Sequence, residues 1–154
     1  MKSINLSYRQ MQSEDLPQTS VVRASTRENA ITAERLERDY GITAASVAAG
    51  LRSHLKGWVC NDSEAIVGFA IGDVSNGEVQ VVAVLPDFEA MGIGRELLTR
   101  VQAWLFSMGH RSIWLLANPD PTTRAYGFYR RLGWKATGSV KGEDEVLTLQ
   151  SGTE

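Results

Sequence analysis

Ile4, Leu6 and Tyr8 alternate with polar neighbours, the two-residue period of a half-buried strand. The period then changes. Residues 13–53 read as helix in two or three pieces broken at Asn29 and Gly41, with Ser13, Thr32 and Thr43 as N-caps and Pro17 tolerated in a first turn. Three apolar runs follow at residues 57–60, 66–71 and 79–84, separated by turns at Asn61-Asp62 and Ser75-Asn76-Gly77, and they predict consecutive antiparallel strands. Ile93, Leu97, Val101, Leu105 and Met108 recur at helical spacing, so residues 92–108 form a helix that packs one face on a sheet and stops at Gly109. Residues 113–117 are continuously apolar, as in a buried strand, and Pro119 and Pro121 bar its extension. Thr122 or Thr123 caps a helix running to Leu132, Gly133 ends it, and residues 134–138 and 146–150 close the chain as a hairpin.

This order predicts a mixed α/β (α+β) domain built on one mixed sheet. The 154 residues fall in the size range of a single domain, expected to span residues 1–154 without repeat or linker. Hydrophobic residues at 43% and charged residues at 22% leave no tract to explain by disorder. A net charge of −2 provides no field to hold a polyanion, so nucleic acid is not an expected partner. The single Cys60 cannot form an internal disulfide, and His54 and His110 show no metal-ligand spacing, so no metal is expected. The opening residues lack the apolar block of a secretory signal and no window reaches membrane-spanning length. A soluble protein of the reducing cytoplasm is the expectation. Trp58, Trp104, Trp114 and Trp134 sit in predicted strands or helices and read as core filler.

The informative stretch runs from Val81 to Gly94, an apolar strand that ends at Pro86, turns, and enters the long helix through Gly92 and Gly94. Glycines permit close backbone approach to a ligand, and the first N–H groups of a helix lack intrahelical partners, so this junction suits phosphate oxygens. The two glycines alone would equally serve a tight turn. A dinucleotide fingerprint is not met, since Leu97 stands three after Gly94, and no GK[ST] marks a nucleotide loop.

Val82-Ala83-Val84-Leu85-Pro86 and Gly92-Ile93-Gly94 resemble the V-x-V-x-P and Q/R-x-x-G-x-G/A signature of the GCN5-related N-acetyltransferase (GNAT) family. Residues 124–134, with Phe128-Tyr129 and Gly133-Trp134, resemble its second block, and the element order matches along nearly the whole chain. The resemblance implies acetyl-CoA as co-substrate and a primary amine as acceptor, joined by direct transfer in a ternary complex. It implies that the strand with Val82, Ala83 and Val84 pairs with the pantetheine arm and splays from its neighbour. Amides of Glu89, Ala90, Met91, Gly92, Ile93, Gly94 and Arg95 would then cradle the pyrophosphate, and Asn118 would contact the cofactor. Two positions depart from the family pattern: Glu89 stands for Gln or Arg, with Arg95 as its offset, and Met91 stands for a polar or basic residue.

Acyl transfer needs a neutral amine, whereas a lysine-like amine has a reference pKa of ~10.4. The resemblance places Tyr129 as general acid to the departing thiolate and Glu78 as base, with the Val84 N–H facing the oxyanion. A solvated hairpin residue is the alternative for Glu78. Thr122, Thr123 and Arg124 serve as cap or as contacts to cofactor or acceptor, Arg38 and Tyr40 lie in the acceptor region without assigned roles, and Cys60 reads as an inert buried thiol. A sensor that keeps the fold and binds acyl-CoA without turnover is the second reading, and homodimers are common among such folds.

Overall fold

The computed structural model describes residues 3–152. Strand β1 (Leu6–Gln10) leads through a 3-10 turn at Ser13–Asp15 into α1 (Leu16–Ala24), α2 (Ala33–Tyr40) and α3 (Ala44–Leu51). A meander of β2 (Leu55–Asp62), β3 (Ala65–Asp73) and β4 (Glu78–Val84) follows, then a 3-10 turn at Pro86–Phe88 and α4 (Ile93–Ser107). The chain ends with β5 (Ser112–Ala117), α5 (Arg124–Arg131), β6 (Lys135–Lys141) and β7 (Asp144–Gln150).

Local chemistry explains most boundaries. Thr32 accepts the Arg35 N–H, Thr43 exchanges hydrogen bonds with Ser46, and Thr123 accepts the Tyr126 N–H, so three of the four helices after α1 begin on a threonine cap or its capping box. Gly41, at φ +68°, ends α2. Ser13 is not a cap; Gln12 holds that position and its N–H is taken by the Asp15 carboxylate at 2.8 Å. The first hairpin turns at Ser63-Glu64 rather than Asn61-Asp62, because buried Asp62 accepts the Asn5 N–H at 2.9 Å and Ser63 takes the left-handed conformation. Met108 lies past the end of α4 and is 58% exposed, outside the apolar face expected of it.

The seven strands form one sheet in the order β1-β2-β3-β4-β5-β7-β6, antiparallel throughout except for β4 and β5. Helix α4 lies on one face, where β3 presents small residues. A Cβ on Gly68 would come within 3.1 Å of Ile93 and one on Gly72 within 2.6 Å of Val101, so these glycines set the approach of helix to sheet. Ile93, Leu97, Leu98, Val101 and Leu105 fill this layer with Ile113, Leu115, Leu147 and Trp134. Leu16, Val22, Leu55, Phe69 and Ile71 form the opposite layer under α1 and α3. Of the tryptophans, Trp134 is fully buried, whereas Trp58 and Trp104 meet edge to face at 6.2 Å on the rim and Trp114 ties β5 to the β3–β4 turn by donating to Asn76 O. No helix of the described residues is long and apolar enough to cross a membrane, and they contain no cluster of three metal-ligating side chains.

Candidate functional site

Parallel strands β4 and β5 pair only where they begin. Glu78 opposes Trp114, whose N–H donates to Gly77 O at 3.1 Å, and beyond that point the two strands have no ladder. The Leu85 N–H donates to Val67 O on β3 at 2.9 Å. Main-chain N–H groups alternate sides along a strand, so those of Val84 and Val82 face away from β3 into the split. By the same alternation the main chain of Ala83 is spent on β3. An unpaired strand edge accepts an extended ligand as an added strand. The cleft here encloses about 1850 Å³, above the range of ~300–1,000 Å³ for a single small-molecule pocket, and so has room for two reactants.

At the end of β4 the chain turns into α4 through Ala90 (φ 64°) and Gly92 (φ 80°). No side chain caps α4, and its first hydrogen bond runs from Glu96 N–H to Gly92 O, which leaves the N–H groups of Ile93, Gly94 and Arg95 without intrahelical partners. Buried Ile93 anchors the turn in the core. A Cβ on Gly92 would meet nothing within 4 Å, so the space in front is open; one on Gly94 would touch Phe128 at 3.4 Å and Val84 at 3.8 Å, where α5 and β4 converge. Three free donors at the positive end of a 15-residue helix suit anionic oxygens.

Glu89, Ala90, Gly92, Ile93, Gly94 and Arg95 all line the cleft, but Met91 does not; its side chain is 43% exposed, outside the lining. The charge on Glu89 is offset by Arg27 at 3.1 Å and Arg124 at 3.6 Å, and not by Arg95, which has no ion pair among the described residues. Glu28 accepts the Arg124 N–H at 2.8 Å, so the loop after α1 is clasped to the start of α5 beside the turn. Two arginines, Arg27 and Arg124, thus meet two carboxylates, Glu28 and Glu89, at this rim.

Tyr129 and Glu78 line the same cleft from α5 and the start of β4. The Tyr129 ring packs edge to face on Phe128 at 5.1 Å and on Trp134 at 6.1 Å, while Arg130 holds α5 to β7 through Glu145 at 3.0 Å. Burial pushes the Tyr129 phenol up to about 12, with Arg23 pulling the other way, and the hydroxyl has no hydrogen bond among the described residues. Glu78 is half-buried rather than a solvated hairpin residue. Burial raises its carboxyl above the ordinary value, Lys141 opposes the rise, Asp73 adds to it and the Asn76 side chain opposes it. Asn118 lines the cleft at the end of β5, with Oδ1 engaged by the Asp120 N–H at 2.9 Å. Cys60 is fully buried with its thiol pushed up by burial, as an inert thiol should be. No motif marks Arg23 or Arg27 in the sequence, although the helical spacing of Leu16, Thr19 and Arg23 is a usable signal for the first.

The model of the Acetyltransferase (GNAT) family matches residues 14–134. Among solved structures, the fold is similar to PaiA N-acetyltransferase from Thermoplasma acidophilum in complex with coenzyme A (15% identity, 96% of this chain and 100% of that one, TM-score 0.80). It is also similar to the ribosomal-protein-S18-alanine N-acetyltransferase of Escherichia coli (18% identity, 95% and 94% covered, TM-score 0.72). A third likeness is to yncA of Salmonella typhimurium, a putative acetyltransferase with its cofactor acetyl-CoA (17% identity, 95% and 94% covered, TM-score 0.71). No curated protein sequence matches the chain.

Proposed function

The chain belongs to the acetyltransferase (GNAT) family, and from that premise we propose that it moves an acetyl group from acetyl-CoA to a primary amine by direct transfer in a ternary complex. The observation that carries the reading is the split between β4 and β5, which leaves the Val82 and Val84 N–H groups facing a cleft that ends on the uncapped start of α4. The Val84 N–H, next to the turn, fits an amide of the pantetheine arm, and the amides of Ile93, Gly94 and Arg95 fit a pyrophosphate. Arg27 and Arg124 offset the charge of Glu89 at the rim, and Asn118 keeps its amide nitrogen for the cofactor.

The thioester, when bound, supplies an acyl carbon already activated for attack. Glu78 accepts the proton that the acceptor ammonium must lose before its nitrogen can form the new C–N bond. The Val82 N–H, the outward donor nearer Glu78, stabilises the negative charge that develops on the carbonyl oxygen. Tyr129, protonated over the working pH range, donates to the thiolate as the C–S bond breaks, and its phenol is restored by the second proton, which the nitrogen sheds as it becomes an amide.

Calorimetry with coenzyme A and a thiol-release assay with acetyl-CoA against a panel of amines test the proposal together. Heat of association and amine-dependent release of free thiol are expected. No association would remove the cofactor assignment; association without thiol release for any amine would make the protein a binding module.

A further inference from the structure

The inward stripe of α1 ends on a charge. Leu16, Thr19 and Arg23 fall at i, i+3 and i+7 on one face of α1, the helix that packs on β3 and β4, and the first two are buried. Arg23 continues that stripe to the cleft, half-buried, within electrostatic range of the Tyr40 and Tyr129 phenols. Among the described residues, no hydrogen bond reaches its guanidinium and no carboxylate lies within ion-pair distance of it. The other arginines of the cleft differ. Arg27 and Arg124 are engaged by Glu89 and Arg35 by Asp39, while Arg95 and Arg131 are exposed to water.

A guanidinium cannot shed its proton at any working pH, so a half-buried one without a counter-charge is costly to the folded state. The cost is visible in the downward push that burial exerts on the Arg23 pKa, opposed by Tyr40 and Tyr129. Three residues further on, Thr26 Oγ1 is buried and also lacks a partner. Among the described residues, two polar groups at the end of α1 therefore have no partner, beside the cleft that holds Glu78.

Resting on the acetyltransferase reading above, we infer that the acceptor is an amine that also carries a carboxylate, and that Arg23 receives this carboxylate while Glu78 faces the amino group. The planar fork of arginine matches a carboxylate through two parallel N–H donors, which orients the acceptor as well as holding it. The acceptor class is thus the amino-carboxylates, either free amino acids or peptides whose acidic side chain lies close to the N-terminus. Arg23 touches the acceptor and takes no part in proton transfer.

The test compares matched acceptors. Thiol release is measured for the α-amino acids, their α-amides and short peptides with aspartate in second position, on the wild type, Arg23→Gln and Arg23→Lys. At least one carboxylate acceptor is expected to exceed its neutral partner by roughly 10²-fold in kcat/KM, because a buried cation left unpaired penalises the neutral analogue. Arg23→Gln should bring that ratio to within about twofold of one, mainly through KM, and Arg23→Lys should recover part of it. Whichever arm carries the preference identifies the free or the peptide-borne carboxylate. Equal use of acid and amide by the wild type, or a preference that survives in Arg23→Gln, would overturn the inference. Calorimetry of the same acids on the CoA complex separates the two readings, and heat with coenzyme A shows that each variant is folded. Acids that bind only with Arg23 present, but release no thiol, would sink the transferase reading and keep the Arg23 site. Thiol release confined to neutral amines would do the reverse.

Discussion

Burial holds the Tyr129 phenol up at about 12, so the hydroxyl keeps its proton at any working pH. Tyr129→Phe keeps the ring packing and removes only the hydroxyl; thiol release should fall by about 10²-fold or more while the Kd for coenzyme A stays within about twofold. Glu78 moves in the same direction for the same reason, burial, and its sign can be followed through. Its folded-state pKa lies above the ordinary 4.5, so the stability it contributes is full below 4.5 and is lost as pH rises through the raised value. Glu78→Gln should therefore raise Tm relative to wild type at pH 7 and not at pH 4, and should remove the acidic limb of the kcat/KM profile. Gly92 needs a left-handed backbone that a β-branched residue resists, at about 1–3 kcal/mol. A thermal melt of Gly92→Val should show that loss, and calorimetry should show weakened coenzyme A binding, because the new side chain projects into the space before the amides. Residues that belong to a motif, such as Gly92, Gly94 and Tyr129, were legible as neighbours in one cleft. Arg27 and the offset of Glu89 were not, because their partners lie far along the chain, and Arg23 was not, because its burial in the cleft follows from packing.

Elements took their form from short-range rules. The threonine caps of α2 and α3, the glycine stop of α2 and the apolar face of α4 all act within one or two turns, and each stands where the sequence pattern put it. The displaced boundaries have long-range causes: Asp62 extends β2 because its carboxylate is claimed by Asn5, on the neighbouring strand side of the sheet. Glycines in β3 have an equally distant reason. Alternation of side chains would allow any small residue at Gly72, but Val101 of α4 fills the space, and a Cβ there would lie 2.6 Å from it. Gly72→Val should cost roughly 1–3 kcal/mol by overpacking, seen as a lower midpoint in urea. Helix α5 is held by Arg130, which stacks on Tyr126 at 3.5 Å and pairs with Glu145, so the position of Tyr129 depends on β7.

At the scale of the molecule, the sheet is two packed pieces joined by one pair of residues, Glu78 and Trp114, with a cleft where it opens. Hydrogen exchange should report this directly. The amides of Val82, Val84, Ile93, Gly94 and Arg95, which have no partner in the ladder or helix, should exchange fast in the free protein and slow on addition of coenzyme A, whereas segment 66–72, paired on both sides, should change little. Saturating ligand at about 100 times Kd should add ~2.7 kcal/mol to stability, and a melt with and without coenzyme A checks it.

The linear order of residues was enough to determine the element succession, the mixed α/β class and the glycine-bearing junction between β4 and α4, because hydrophobic period, caps and glycines act over a few residues. Only tertiary structure decided that β4 and β5 part, that Arg27 and Arg124 neutralise Glu89, and that Arg23 reaches the cleft without a counter-charge. Ion pairing and burial depend on distance in space, and residues 62 or more positions apart, such as Arg27 and Glu89, become neighbours only when the chain has folded.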